Sequence, residues 1–272
     1  MRIYPVIHVH DLDQVSEQVE VARRHPISGV FLIDHDADDI RLARCIDHVR
    51  LKHPDIFLGA NVIRRSATEA LNILAPHFPG GIPLDAIWTD NAGVSLDGDD
   101  REFHSLHSAR ERTGWTGLHF GGIAFKYQTP VSETDLPRLG ELARRHVDVP
   151  TTSGPGTGLA ADTHKLEALR EGLHDHPLAL ASGVTPDNVE SFIGLVDHIL
   201  VSTGIAGDND RIDSGKLATL LERCTVEQKN EPYFRPRVDG EAPKRSRVPL
   251  KRRVQPSTGT FTYGCPSSSR GI

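Results

Sequence analysis

The sequence predicts a (βα)8 TIM barrel, and three observations support this fold class. Its 272 residues fit one such barrel better than two small domains. Short apolar runs alternate with amphipathic segments over residues 1–224, a pattern typical of a parallel sheet covered by helices. Polar residues directly follow the apolar runs, at the end of each strand where a barrel forms its ligand-binding mouth.

The first half of the chain holds four strand–helix units. The predicted strands are 3–9, 29–33, 56–60 and 86–88, and the predicted helices are 11–24, 38–52, a third that begins at Ser66, and 99–112. Ser66 is the expected N-cap of the third helix. The second helix carries Ile40, Ala43, Ile46 and Val49 at helical spacing, so these side chains are predicted to share its buried face.

The second half keeps the same rhythm. The predicted strands are 117–125, 147–152, 178–181 and 198–201, and the predicted helices are 132–146, 162–172, one that begins at Thr185-Pro186, and 213–224. Eight such units close into a barrel more readily than they form an open sheet. An open doubly wound sheet is the alternative, but no GxGxxG follows the first strand, and the glycine-rich run 154–158 lacks a Walker lysine.

The last 48 residues differ from the rest in charge and composition. Residues 225–272 hold ten Lys or Arg against four Asp or Glu, whereas residues 1–224 hold 21 against 33. The segment is rich in Pro, Ser, Thr and Gly and shows no helical or alternating period. We therefore expect a barrel at 1–224 and a basic Pro/Ser-rich tail at 225–272 that is extended or disordered. A nucleic-acid or acidic partner for this tail is less favoured than a solvated tail or one that packs against its own acidic barrel, because charge runs alone are unspecific.

Composition also bears on location. No apolar run approaches the roughly 20 residues that a membrane-spanning helix needs, and the start of the chain lacks the long apolar core of a signal peptide. A cytoplasmic location is therefore expected. The three cysteines are too few and too scattered for a disulfide framework or a zinc site.

The stretch 177–204 carries the predicted phosphate site. Two apolar runs in it end in Ser182-Gly183 and in Ser202-Thr203-Gly204. Small residues at the ends of neighbouring parallel strands leave backbone N–H groups and hydroxyls open to close approach by a phosphate. In a (βα)8 barrel such a site is commonly built from the loops after the seventh and eighth strands.

The other strand ends supply the candidates for chemistry. Asp34 and Asp90 are the predicted general acid and base, because two carboxylates in unlike surroundings can hold different pKa values. Lys126 is expected to neutralise an anion or, less favoured, to form a Schiff base, and Asn61 is expected to orient the substrate. The remaining predicted substrate-binding residues are Asn91, Ser153 and Gly154. The loop 153–158, rich in glycine, predicts a lid, an anion nest or a plain turn.

No cofactor is identified from the sequence. A divalent metal is an alternative, because Asp34, His35 and Asp36 with His8 or His10 offer carboxylate and imidazole ligands. The favoured reading is that His35 and Asp36 cap the helix that begins at Asp38. A serine hydrolase is not favoured, because Ser153 lacks the GxSxG elbow.

Several segments together resemble the BtpA family of (βα)8 barrels. The most specific are VDVPTTSGPGTG, LALASGVTPDNV and DHILVSTGI, and LGANVIRRSATEAL, LDAIWTDNAGVSLDG and AFKYQTP fit as well. The resemblance covers about residues 3 to 224. The chain departs from the family in two places: the Pro/Gly-rich loop after the first-strand histidine is missing after His8, and the family's Lys-His is Lys126-Tyr127 here.

The resemblance implies a phosphate-binding barrel of unassigned substrate. The expected function is isomerase or lyase-type acid–base chemistry on a small phosphorylated metabolite, such as a sugar phosphate or a phosphoribosyl compound. Two alternatives stay open: a non-catalytic assembly or regulatory factor, as the family's link to photosystem I suggests, and a phosphoribosyltransferase, which would also bind a diphosphate with Mg²⁺. A homo-oligomer is compatible with all three.

Overall fold

The computed structural model describes residues 1–224, which form a closed parallel (βα)8 barrel. The strands are β1 Arg2–His8, β2 Val30–Ile33, β3 Leu58–Asn61, β4 Ala86–Thr89, β5 Leu118–Gly122, β6 Val149–Ser153, β7 Ala179–Ala181 and β8 His198–Val201. The helices are α1 Leu12–Arg23, α2 Asp39–Lys52, α3 Ala67–Leu74, α4 Arg101–Thr113, α5 Leu136–His146, α6 Thr163–Leu173 and α7 Ser214–Cys224. The predicted tail lies outside the described residues.

Pairing of the first and last strands closes the barrel. Arg2 lies opposite His198 and Pro5 opposite Val201, and each other strand pairs with its neighbours in chain order. The predicted fold class is therefore confirmed, and the open sheet is excluded. No helix within residues 1–224 has both the length and the apolar character needed to cross a membrane.

Aromatic side chains fill the lower interior of the barrel. The Tyr4 ring packs edge-to-face on Phe31 and Phe120, with ring centroids 5.6 and 6.1 Å apart. It also stacks on the His198 ring, with centroids 5.8 Å apart. Gly59 makes room for this cluster, because a Cβ at its position would lie 2.2 Å from the Phe31 ring. The interior is thus a packed core and leaves the mouth as the place for a ligand.

The helices cover the barrel with apolar faces, and side chains cap the amino ends of α1, α2, α3 and α6. The predicted N-cap Ser66 forms a complete capping box with Glu69. The prediction for Ile40 was wrong, since this side chain is 62% exposed. At 100° per residue Ile40 lies about 200° around α2 from the buried Leu42, which places it on the solvent side.

Two further predictions about elements were wrong. The segment after Thr185 forms a single 3-10 turn, Val189–Phe192, because the Asn188 side chain accepts from the Thr185 N–H and donates to the Gly183 carbonyl, both at 2.8 Å. The fifth strand ends at Gly122, well before Lys126. A Cβ on Gly122 would lie 2.0 Å from the Asp90 carbonyl oxygen. The end of β5 therefore packs directly against the backbone that follows β4.

One arrangement of side chains recurs three times at the amino ends of the strands. An arginine on α2, α4 or α6 pairs with an aspartate that directly precedes β4, β6 or β8. The pairs are Arg50–Asp85, Arg110–Asp148 and Arg170–Asp197, with Nη2–Oδ2 distances of 2.6, 2.5 and 2.7 Å. The same Oδ2 atoms accept the N–H groups of Leu58, His119 and Leu178 at 3.0, 2.8 and 2.9 Å. Each unit therefore ties one helix to two neighbouring strands.

Two buried imidazoles predict acid sensitivity. Burial lowers the pKa of His119 to about 4 and that of His198 to about 3. The unfolded chain takes up these protons near pH 6.5, so it binds more protons than the folded chain below that pH. The free energy of unfolding should therefore fall as the pH drops from 6.5 towards 4, by on the order of 3 kcal/mol per imidazole. Urea unfolding at pH 7, 6, 5 and 4 measures this loss.

Replacement of one imidazole tests the assignment. His198→Leu should give a shallower loss of stability between pH 6.5 and 4 than the wild type, whatever its stability at pH 7. His107→Gln, a change at an exposed histidine of α4, is the matched control and should keep the wild-type slope. Equal slopes for the wild type and His198→Leu would contradict the assignment.

Candidate functional site

A ring of polar side chains lies at the carboxyl ends of the strands. Side chains alternate between the two faces of a strand, and Val6, Trp88 and Leu200 belong to the interior cluster of the barrel. Two residues further along β1, β4 and β8, the same face carries a polar group at the mouth. The inward-facing polar residues of this ring are His8, Asn61, Asp90, Ser153 and Ser202.

The centre of this ring is a pair formed by two predicted site residues. Asn61 Nδ2 donates to Asp90 Oδ1 at 3.1 Å. Asn61 is 1% exposed, and its Oδ1 has no hydrogen-bond partner within the described residues. The main chain of Asp90 is fixed by Gln128, whose Nε2 donates to the Asp90 carbonyl at 2.8 Å. The pair therefore presents a firmly placed carboxylate with one oxygen, Oδ2, left for a ligand.

A cleft of about 1040 Å³ opens beside this pair, over the loops that follow β2 to β6. Asp90, Asn91 and Lys126 all line it, so the structure brings three of the predicted residues together. Lys126 Nζ donates to Thr157 Oγ1 at 3.2 Å and makes no salt bridge within residues 1–224. Asn91 Oδ1 accepts from the Gly93 N–H at 2.8 Å, which fixes the turn after β4. The arrangement offers a cation and a carboxylate to one ligand.

Ser153 lies beneath this cleft and does not line it. Its side chain is fully buried, accepts from the Lys126 N–H at 2.8 Å and donates to the Gly154 carbonyl at 2.9 Å. Lys165 reaches the same place from α6, where its Nζ donates to the carbonyls of Ala124 and Ser153 at 2.5 and 2.7 Å. Burial lowers the pKa of Lys165 to about 8. These contacts favour positioning roles, with Ser153 and Lys165 holding the backbone of the loop that carries Lys126.

The structure places Asp34 away from the mouth. Ile33 faces the interior, so Asp34 faces α2, where Arg41 Nε and Nη2 donate to its two oxygens at 2.6 and 2.7 Å. Burial opposes ionisation of Asp34, but Arg41 and the N–H groups of Asp36 and Asp38 outweigh it and hold the pKa of this carboxyl below its usual range. The geometry favours a structural ion pair over the predicted acid–base role.

The predicted metal alternative finds no support in this geometry. Over residues 1–224 no three His, Cys, Asp or Glu side chains lie where they could share a metal ion. The cap prediction was also wrong, because Asp38 itself is the N-cap of α2, and Asp36 pairs with Arg41 at 2.8 Å. His35 instead packs edge-to-face on His8, with ring centroids 4.7 Å apart.

His8 joins the two sides of the mouth. Its Nε2 lies 3.0 Å from Ser202 Oγ, and its Nδ1 lies 3.9 Å from Asp210 Oδ2. Burial, together with the neighbouring His35, lowers the pKa of His8 against the opposing effect of Asp210. A largely neutral imidazole at neutral pH therefore lies between the cleft and the end of β8.

The predicted phosphate residues lie at the ends of β7 and β8 and do not line the cleft. Gly183 has a φ of +74° and Gly154 lies nearby, and a Cβ at either position would lie 2.0 Å from the Leu159 carbonyl oxygen. A Cβ on Gly204 would lie 1.9 Å from the Val184 carbonyl oxygen. These glycines are therefore required by close packing of the chain's own backbone.

Donors for an anion are nevertheless present at this end of the mouth. The N–H groups of Gly183 and Gly204 have no acceptor in the part of the chain that the structure describes. Thr203 is exposed beside them. Ser182 has a φ of +71°, and its Oγ accepts from the Gly158 N–H at 3.1 Å, so this hydroxyl holds the β6–α6 loop.

Sequence reasoning missed Gln128, Lys165 and Arg64. Gln128 and Lys165 act on backbone carbonyls, and no sequence pattern reports such contacts. Arg64 lines the cleft from the loop after β3, and its place three residues after the strand end is the signal that could have found it.

Comparisons with known proteins support the fold. No protein-family model matches the chain, and no curated protein matches it in sequence. Phosphoribosyl anthranilate isomerase from Thermococcus kodakaraensis is similar in structure, with a TM-score of 0.59 and 14% identity over 84% of this chain and 100% of that chain. Thiamine phosphate pyrophosphorylase from Pyrococcus furiosus gives 0.56 and 12% identity over 82% and 95%.

A third similar structure is a phosphoribosyl anthranilate isomerase in complex with a reduced carboxyphenylamino-deoxyribulose 5-phosphate. Its TM-score is 0.53, with 15% identity over 82% of this chain and 98% of that chain. At such identities these structures establish the barrel fold for this chain and no more.

The structural role of Asp34 can be tested on its partner. Arg41→Met should lower the free energy of unfolding by roughly 3 kcal/mol, because it leaves the Asp34 carboxylate buried without a counter-charge. Arg44→Met changes an exposed arginine on the same helix and should cost less than about 0.5 kcal/mol. Urea unfolding of both variants at pH 7 gives the comparison, and equal losses would show that the ion pair contributes nothing.

Proposed function

We propose that this protein is a phosphate-binding barrel enzyme, similar to the BtpA family, that acts on a small phosphorylated metabolite by acid–base chemistry. The observation that carries the proposal is the Asn61–Asp90 pair. It fixes a carboxylate at the mouth of the barrel, beside a cleft that also holds the cation Lys126. A sugar phosphate or a phosphoribosyl compound is the proposed class of substrate.

Asp90 is the proposed acid–base group. Its Oδ1 is occupied by the amide of Asn61, which orients the carboxylate, and its Oδ2 is left to take a proton from the substrate and return it. Lys126 would stabilise the negative charge that develops on a neighbouring substrate oxygen. The half-buried Lys165 and the buried Ser153 hold the loop of Lys126 in place, which such positioning requires.

The phosphate is proposed to bind at the ends of β7 and β8. The N–H groups of Gly183 and Gly204 and the hydroxyl of Thr203 are the donors. The names of the similar barrels support the class of ligand, since one is solved with a deoxyribulose 5-phosphate and another is a thiamine phosphate enzyme. Ser202, which contacts His8, would link this site to the ring of polar residues.

Binding of phosphate tests the proposal. Inorganic phosphate or fructose 6-phosphate should raise the Tm of the full chain, by about 3 to 6 °C at ten times its Kd. Sodium chloride at equal ionic strength should not. Differential scanning fluorimetry over 0.1 to 30 mM ligand gives the shift and the apparent Kd.

A charge placed beside the site gives the matched comparison. Thr203→Glu introduces a carboxylate at an exposed position next to the proposed donors and should abolish the shift by repulsion. Thr219→Glu makes the same change on the exposed face of α7 and should keep it. The proposal fails if phosphate gives no shift in the wild type, or if the two variants respond alike.

A further inference from the structure

Arg64 lines the cleft with an unpartnered guanidinium. It lies in the loop between β3 and α3 and is exposed. It forms no hydrogen bond or ion pair with any residue of the described chain. By contrast, Arg41, Arg50 and Arg110 are each held by an aspartate. An arginine that faces a cleft without a partner has its full set of donors available for a ligand.

The loop holds Arg64 in a defined conformation. Its φ of +59° is uncommon for a residue with a side chain. The Arg65 N–H donates to the Val62 carbonyl at 3.2 Å on one side, and the Ser66–Glu69 capping box fixes the chain on the other. Arg65, the next residue, is also exposed but does not line the cleft. The backbone at Arg64 is thus held in a defined turn at the edge of the cleft, which its side chain lines.

The floor of the same cleft offers a second unused donor. Trp88 lines the cleft and is 6% exposed, and its Nε1–H has no acceptor within the described residues. An indole N–H in such surroundings is normally hydrogen-bonded. Lys126 adds a cation on the β5 side, while Asp90 and Asp135 are the carboxylates of the lining. Unused donors therefore lie in this half of the mouth, away from the ends of β7 and β8.

We propose that Arg64 binds a second anionic group of the substrate. The ligand is then a small molecule with an anionic group at each end, a phosphate at the ends of β7 and β8 and a phosphate or carboxylate at Arg64. This inference rests on the proposed phosphate site. Bidentate, charge-assisted hydrogen bonds from a guanidinium to a phosphate or carboxylate are among the strongest hydrogen bonds in proteins.

Two ligands that differ by one anionic group test this inference. Isothermal titration calorimetry of the full chain compares fructose 6-phosphate with fructose 1,6-bisphosphate as probes. The bisphosphate should bind wild-type protein about tenfold tighter or more, as expected for one added charged hydrogen-bonding contact. Arg64→Gln should reduce this ratio to near one and leave binding of the monophosphate unchanged. Arg65→Gln is the matched control and should keep the wild-type ratio.

A spectroscopic signal reports on the cleft directly. The bisphosphate should shift the indole N–H resonance of Trp88, assigned with Trp88→Phe, in wild-type protein and not in Arg64→Gln. Trp115 donates to the Leu84 carbonyl at 2.9 Å and serves as the internal reference.

The outcomes separate the two proposals. If neither sugar phosphate binds, the proposed function is overturned and the second subsite with it. If fructose 6-phosphate binds but the bisphosphate binds no tighter, or if Arg64→Gln and Arg65→Gln behave alike, only the second subsite is overturned. If Arg64→Gln abolishes binding of the monophosphate, Arg64 holds the first phosphate and the claim of two anionic ends is wrong.

Discussion

The alternation of side chains along closed, parallel strands decides which polar residues can meet a ligand in this protein. Closure of the barrel by β1 and β8 fixes one face of every strand towards the interior. Asn61 and Asp90 continue the inner face and form a hydrogen-bonded pair at the mouth. Asp34 ends its strand one position out of phase and is paired instead with Arg41 on the outside. A shift of one residue along the strand thus separates a carboxylate at the mouth from one in a structural ion pair.

The polar side chains at the two ends of the barrel make different kinds of contact. At the amino ends, three repeated Arg–Asp pairs satisfy strand N–H groups and join each even-numbered helix to the sheet. At the carboxyl ends, several donors and acceptors have no partner within the described chain, among them Asn61 Oδ1 and Trp88 Nε1. Unsatisfied buried groups cost stability, so these two atoms at the mouth are groups that a bound ligand or water would stabilise.

The order of strands and helices could be predicted from the sequence because buried parallel strands appear as apolar runs between amphipathic segments. Because both faces of these strands are apolar, the sequence does not show which residues face the interior. It therefore predicts Asp34 and Asp90 as equivalent residues of the mouth. The helix predicted to begin at Thr185 does not form for a different reason. Hydrogen bonds of the Asn188 side chain to the neighbouring backbone stabilise a single 3-10 turn there. The positions of Arg64 and Gln128 depend on loop conformations that no period in the sequence encodes. Lys165 lies on α6, and its contacts depend on how that helix packs against the carbonyls of Ala124 and Ser153.

Gly154 and Gly183 allow close backbone packing that links the two halves of the mouth. The absence of a side chain at Gly154 and Gly183 leaves space for the Leu159 carbonyl oxygen, so the loop after β6 packs directly on the end of β7. Ser182 binds the same loop through the Gly158 N–H, and the adjacent Thr157 accepts from Lys126 Nζ at the cleft. A continuous set of contacts therefore runs from the N–H of Gly183 to the cation in the cleft. A side chain at position 183 would displace this loop, so a change there would disturb the cleft as well as the anion donors. The exposed Thr203 takes no part in these contacts. A substitution there therefore changes the proposed anion donors without displacing the loop that contacts Lys126.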